Sequence, residues 1–238
     1  MLGTLQEDPK RFTRSLTAEL VGTCLLLLAA LFAPPNLTFV GVGLALMVLV
    51  AAIGKISGSH VNPAVTVSLM VARQIRIVDG LFYMVAQTLG AILAVAVARG
   101  LGHRVPPIEA TGAVFWFELL GTFVLAFVVA QVVVKNVAEA GSALSIGGAL
   151  ALGVLIAGGA SGGVLNPAFA VALTAAQVIE RAFAAYLIAP LLAGVLGGAL
   201  AAFLGQGDAP EAPDEGDEGE SDAGRNVVVT GRGVSAPR

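Results

Sequence analysis

Three landmarks occur twice in this chain, in the same order and at nearly constant spacing. AELVGT (18–23) returns as FELLGT (117–122), so Glu19/Glu118, Gly22/Gly121 and Thr23/Thr122 each stand 99 residues apart. SGSHVNPA (57–64) returns as SGGVLNPA (161–168), with Asn62 and Asn166 104 residues apart. QTLGA (87–91) is echoed more weakly by PLLAG (190–194), 103 residues on. Shared order and spacing indicate an internal duplication. How the two copies face each other depends on what each copy spans.

The chain is 57% hydrophobic and only 12% charged, against about 25% charged in soluble domains. So much apolar surface cannot be hidden inside a water-facing globule, and the lipid bilayer is the expected solvent. Six apolar segments, 16–32, 38–54, 77–98, 113–134, 143–160 and 182–204, approach or reach the roughly 20 residues that cross a bilayer. Each copy holds three of them. An odd number turns the second copy upside down relative to the first, giving an inverted repeat about an axis in the membrane plane. The expected fold is therefore an all-α membrane protein with repeats 16–98 and 113–204. Two shorter apolar runs, 62–72 and 166–178, reach only about 16–20 Å as helices, enough to enter the membrane halfway. A basic stretch followed by LLLLAALF also fits a secretory leader. Glu19 breaks the start of the apolar segment, however, and a cleaved leader would not be echoed later in the chain.

The net charge of -3 hides an uneven distribution. Eight of the 16 acidic residues, from Asp208 to Asp222, lie in one tail. That tail, 205–238, is rich in Gly and Pro and reads as disordered. With the N-terminal segment 1–15 in the cytoplasm, Lys10, Arg11, Arg14, Lys55, Arg73, Arg76 and Lys135 fall inside, and Arg99, Arg104 and Arg181 fall outside. Both termini are then cytoplasmic and the expected home is the cell membrane. The single cysteine, Cys24, allows no intrachain disulfide.

Each Asn-Pro-Ala box reads as a loop entering the membrane and turning into a half-helix. Small residues precede it: Ser57, Gly58 and Ser59 in one copy, Ser161, Gly162 and Gly163 in the other. Asn62 and Asn166 are good N-caps, and Pro63 and Pro167 suit the first helical position, where a missing N–H costs nothing. Irregular backbone at membrane depth is tolerated only where it is buried in protein or lines a wet cavity. The loop residues Gly58, Ser59, His60, Val61, Gly162, Val164 and Leu165 are therefore expected along a pore. Inverted symmetry brings the two half-helix N-termini together, each carrying about half a positive elementary charge against cations. Ala64 and Ala168 are small enough for the ends to meet closely, and the carboxamides offer N–H donors to a passing oxygen.

Together these residues resemble the aquaporin and glycerol-facilitator family, the major intrinsic proteins, over 15–204. Both boxes, the SGSHVNPAVT context, the paired Glu-x-x-Gly-Thr and Gln87 carry the resemblance. It implies six tilted helices and two half-helices around one pore per subunit, usually in a homotetramer. Glu19 and Glu118 match carboxylates that hold the re-entrant loops, with proton relay as their other reading. His60 matches a pore-lining position or makes a structural hydrogen bond. The family's outer constriction falls here on Val42, Val154, Gly163 and Phe169. A water-selective relative would place there an aromatic, a His, a small residue and an Arg. Here the ring is apolar and uncharged, so charge exclusion rests on the half-helices. Ala170 stands where glycerol facilitators usually have Asp, and Lys55 sits near the cytoplasmic mouth as a snorkelling side chain or a gate.

The expected function is a passive channel for water or small neutral solutes. An ion-coupled transporter also uses inverted repeats and broken helices, but Glu19 and Glu118 are the only clear carboxylates within the spans apart from Asp79, which lies at a helix end. A non-conducting structural member is the other alternative. No nucleophile–base pair, metal cluster or phosphate loop is visible. No enzyme activity, catalytic residue, cofactor, metal or nucleic-acid partner is expected.

Overall fold

The computed structural model describes residues 8–108 and 112–207. The described residues fold into eight α-helices and no strand: α1 (Pro9–Phe32), α2 (Thr38–Ser57), α3 (Pro63–Val71), α4 (Ile77–Gly100), α5 (Val114–Val134), α6 (Glu139–Ser161), α7 (Pro167–Ala175) and α8 (Phe183–Leu204). Six are long and apolar enough to cross a membrane. The other two, α3 and α7, have nine residues each and rise only about 14 Å.

The first helix starts seven residues before the apolar segment that announces it. Asp8 accepts from the N–H groups of Lys10 and Arg11, and Pro9 takes the first helical position. The spans α2 and α6 end alike, on Gly58 and Gly162 with φ of 92° and 78°. Only glycine adopts that left-handed cap at little cost. The proposed acidic tail lies outside the described residues, apart from a 3₁₀ turn at Gly205–Gly207.

Small residues let the helices approach closely, as packing without a hydrophobic drive between them requires. Gly43 of α2 faces Gly147 of α6, and Gly121 of α5 faces Gly153 of α6, each across backbone carbonyls. On α8, Gly194 and Gly198 lie against the carbonyls of Ala64 and Ser68 and so seat α3. Large apolar side chains on the outer faces, such as Leu81, Val85 and Leu89, stay exposed. In a bilayer that exposure carries no penalty.

Candidate functional site

Each re-entrant loop wraps around one buried carboxylate. Glu19 Oε1 accepts from Ser57 Oγ at 2.6 Å and from the His60 N–H at 3.0 Å. Its Oε2 accepts from the Val61 N–H and from Gln87 Nε2, both at 2.7 Å. Glu118 repeats the pattern, accepting from Ser161 Oγ at 2.5 Å and from the N–H groups of Val164 at 2.9 Å and Leu165 at 2.7 Å. Ser57 and Ser161 in turn accept from the N–H groups of Ser59 and Gly163. Tyr83 and Tyr186 donate to the carbonyls of Ser57 and Ser161. Neither serine nor either tyrosine was singled out by its chemistry in the sequence. Their spacing, 104 and 103 residues, is the signal that finds them.

The backbone conformation explains what this achieves. Gly58, Ser59 and Val61 have positive φ, as do Gly162, Gly163 and Leu165. For a β-branched residue such as Val61 that conformation is strained and persists only when its surroundings impose it. Successive left-handed residues aim their N–H groups into one concavity, where an anion is held. The carbonyls then point the other way. Among the described residues nothing donates to the carbonyls of Gly58, Ser59, His60, Gly162, Gly163 or Val164.

The two loops meet through their asparagines. Asn62 Oδ1 accepts from the Ala64 N–H at 2.8 Å and caps α3, while its Nδ2 donates across the repeat to the Leu165 carbonyl at 2.9 Å. Asn166 does the same at the start of α7, with Oδ1 on the Ala168 N–H and Nδ2 on the Val61 carbonyl, both at 3.0 Å. Each carboxamide keeps a second N–H hydrogen. Pro63 and Pro167 open the half-helices, and Ala64 and Ala168 are fully buried beside them.

A cavity of about 620 Å³ runs along this junction. Its lining takes in Val42, Val154, Gly163 and Phe169, together with Ser59, His60, Val61, Asn62, Asn166, Gly162 and Val164. Gly58 and Leu165, also expected along the pore, are not among the residues lining this cavity. Gly58 is spent on capping α2. Leu165 is fully buried, with its side chain wedged against Gly121 and Gly153. Gly163 and Leu165 are left-handed and Val164 between them is not, so Val164 faces the cavity and its neighbour faces the helices. Glu19 and Glu118 are also fully buried and absent from the lining, with oxygens turned to the loop donors.

The two halves differ in polarity. Gln87 Nε2 also donates to Thr66 Oγ1 at 3.0 Å, and Thr66 Oγ1 lies 3.2 Å from His60 Nδ1. A polar chain therefore links Glu19 to the His60 ring at the cavity. The matching positions in the second repeat are Pro190, Ala170 and Val164, which cannot build one. Lys55, exposed at the end of α2, pairs with Glu139 at the start of α6 at 2.6 Å.

Two half-helices meeting end to end inside six spanning helices, with a cavity along their junction, define a membrane channel. The family model described as Major intrinsic protein matches residues 7–204. Aquaporin NIP3-1 of Oryza sativa subsp. japonica is 34% identical over 205 residues, covering 78% of this chain and 66% of that relative. Glycerol uptake facilitator protein-like 6 of Lactiplantibacillus plantarum is 32% identical over 215 residues, 82% of this chain and 100% of that relative. The X-ray structure of the aquaglyceroporin from Plasmodium falciparum shares the fold, with a TM-score of 0.64 at 22% identity over 82% of this chain and 96% of that one. The chain belongs to the major intrinsic protein family.

Proposed function

We propose that the chain passes water and small uncharged solutes passively through the cavity between α3 and α7, and that it excludes ions. The observation that carries this reading is the reciprocal pairing of Asn62 with the Leu165 carbonyl and of Asn166 with the Val61 carbonyl. It fixes two helix N-termini against one narrow point and leaves each carboxamide one donor. Each N-terminus carries about half a positive charge, a barrier to cations that a neutral molecule does not feel. A solute shedding its water meets donors at the asparagines and acceptors at the loop carbonyls. The apolar wall opposite, with Val42 and Val154, offers no site that would hold it.

The Lys and Arg distribution supports an orientation with both termini cytoplasmic in the cell membrane. The family's habit supports a homotetramer. The test is light-scattering stopped-flow on proteoliposomes with water, glycerol and urea in parallel, with and without a proton or sodium gradient. Passive flux is independent of either gradient. A gradient-dependent flux would replace the channel with a coupled transporter.

A further inference from the structure

The last carbonyls of a helix have no partner within it and must find a donor elsewhere. Both half-helices end on an alanine, α3 on Ala72 and α7 on Ala176. In the first repeat the donor is local: Gln74 Nε2 donates to the Ala72 carbonyl at 3.0 Å. At the repeat spacing of the asparagines, the position matching Gln74 is Val178, whose side chain has no donor. There the donor comes from another helix. Arg99, in the last turn of α4, donates from Nη2 to the Ala176 carbonyl at 2.6 Å. At the repeat spacing of the tyrosines, the position matching Arg99 is Ala202 of α8, and a cavity of about 500 Å³ lies there beside Ala72 and Gln74. The same carbonyl is thus closed by a neighbour in one repeat and by a tether to a spanning helix in the other.

The tether falls on the half-helix that carries Phe169. That helix is held at its start, where Asn166 donates to the Val61 carbonyl. A short rod pinned at one end pivots about it. Phe169 stands three residues from Asn166 and Ala176 ten, so at about 1.5 Å of rise per residue roughly a third of any shift at Ala176 reaches Phe169. The Ile108 N–H steadies the Val178 carbonyl two residues on, but Arg99 is the group that holds the helix cap itself. Its cation also suits the place, since α4 and α7 both present the negative ends of their dipoles there. We infer that Arg99 is a positioning residue for the outer constriction: through the Ala176 carbonyl it fixes α7, hence where Phe169 stands, hence the largest neutral solute the channel passes. Arg99 does not line the cavity, so it acts on solutes only through Phe169. This inference rests on the channel reading.

The test removes the tether and then rebuilds it in folded protein. Arg99 is exposed and the one native cysteine, Cys24, is buried in α1, so thiosulfonates applied to Arg99→Cys protein in proteoliposomes label the new thiol selectively. Aminoethyl methanethiosulfonate places an ammonium as many bonds from Cα as the guanidinium Nη2. Methyl methanethiosulfonate adds no donor. Labelling is confirmed by intact mass, and the same vesicles are read before and after, so folding is common to both measurements. The readout is the flux of xylitol relative to glycerol. Arg99→Cys is expected to raise that ratio about threefold or more, the worth of part of one charge-assisted hydrogen bond. The aminoethyl reagent is expected to bring it back toward wild type, and the methyl reagent to leave it raised. Arg99→Met fills the space without a donor and is expected to match the unlabelled cysteine. A wild-type ratio in either variant would overturn the inference, and so would equal effects of the two reagents or a thiol that stays unlabelled. Wild-type vesicles that pass neither water nor glycerol would instead bring down the channel reading, and this inference with it.

Discussion

Replacing Glu118 with glutamine changes one atom of the carboxylate that organises the second loop. Glu118 is fully buried and accepts three hydrogen bonds, from Ser161 Oγ, Val164 N–H and Leu165 N–H. The amide keeps one acceptor oxygen and sets an NH₂ group against a backbone N–H where an oxygen stood. Hydrogen bonds to a charged group contribute about 1.5–3 kcal/mol each and neutral ones about 0.5–1.5, while an unsatisfied buried donor costs about 1–3 kcal/mol. Weakening two bonds and orphaning one donor totals roughly 3–5 kcal/mol. The strained backbone at Leu165 loses its restraint at the same time, and with it the carbonyl that positions Asn62. Membrane proteins of this size unfold irreversibly, so the assay is the half-life of folded protein in detergent at fixed temperature. If half of that loss reaches the unfolding barrier, Glu118→Gln shortens the half-life by about tenfold or more. It also lowers water flux per folded protein. Glu19→Gln, which disturbs four donors, is expected to be at least as damaging. A Glu118→Gln protein with wild-type half-life and flux would refute the claim that this carboxylate holds the loop.

Three further changes test other parts of the account. Phe169→Arg adds a charge and several donors to an apolar ring, and it is expected to lower glycerol flux relative to water; an unchanged ratio removes Phe169 from the constriction. Thr66→Val unties Gln87 and the His60 ring and is expected to cost about 1–3 kcal/mol for the unpaired buried groups, read as a shorter half-life in detergent. Gly198→Ala places a methyl against the Ser68 carbonyl, so α3 must shift and water flux is expected to fall. Gly148→Ala meets nothing within 4 Å and serves as the silent control.

The spans and half-helices were legible in the sequence because the bilayer demands long apolar runs and because Asn-Pro starts a helix almost regardless of context. The pairing of Glu19 with one loop and Glu118 with the other was legible only through the family resemblance, since nothing local links residues about forty positions apart. Direction along the loops was not legible. Val164 and Leu165 are both apolar, and only the alternation of left-handed residues decides that one lines the cavity and the other packs between α5 and α6.

The central claim is that paired half-helices conduct neutral molecules and stop charge. It is tested most directly by measuring osmotic water flux and potential-driven proton flux in the same proteoliposomes. The account predicts water flux that scales with protein content while proton flux stays at the level of empty vesicles. Proton flux rising in step with protein, or water flux no different from empty vesicles, would contradict it.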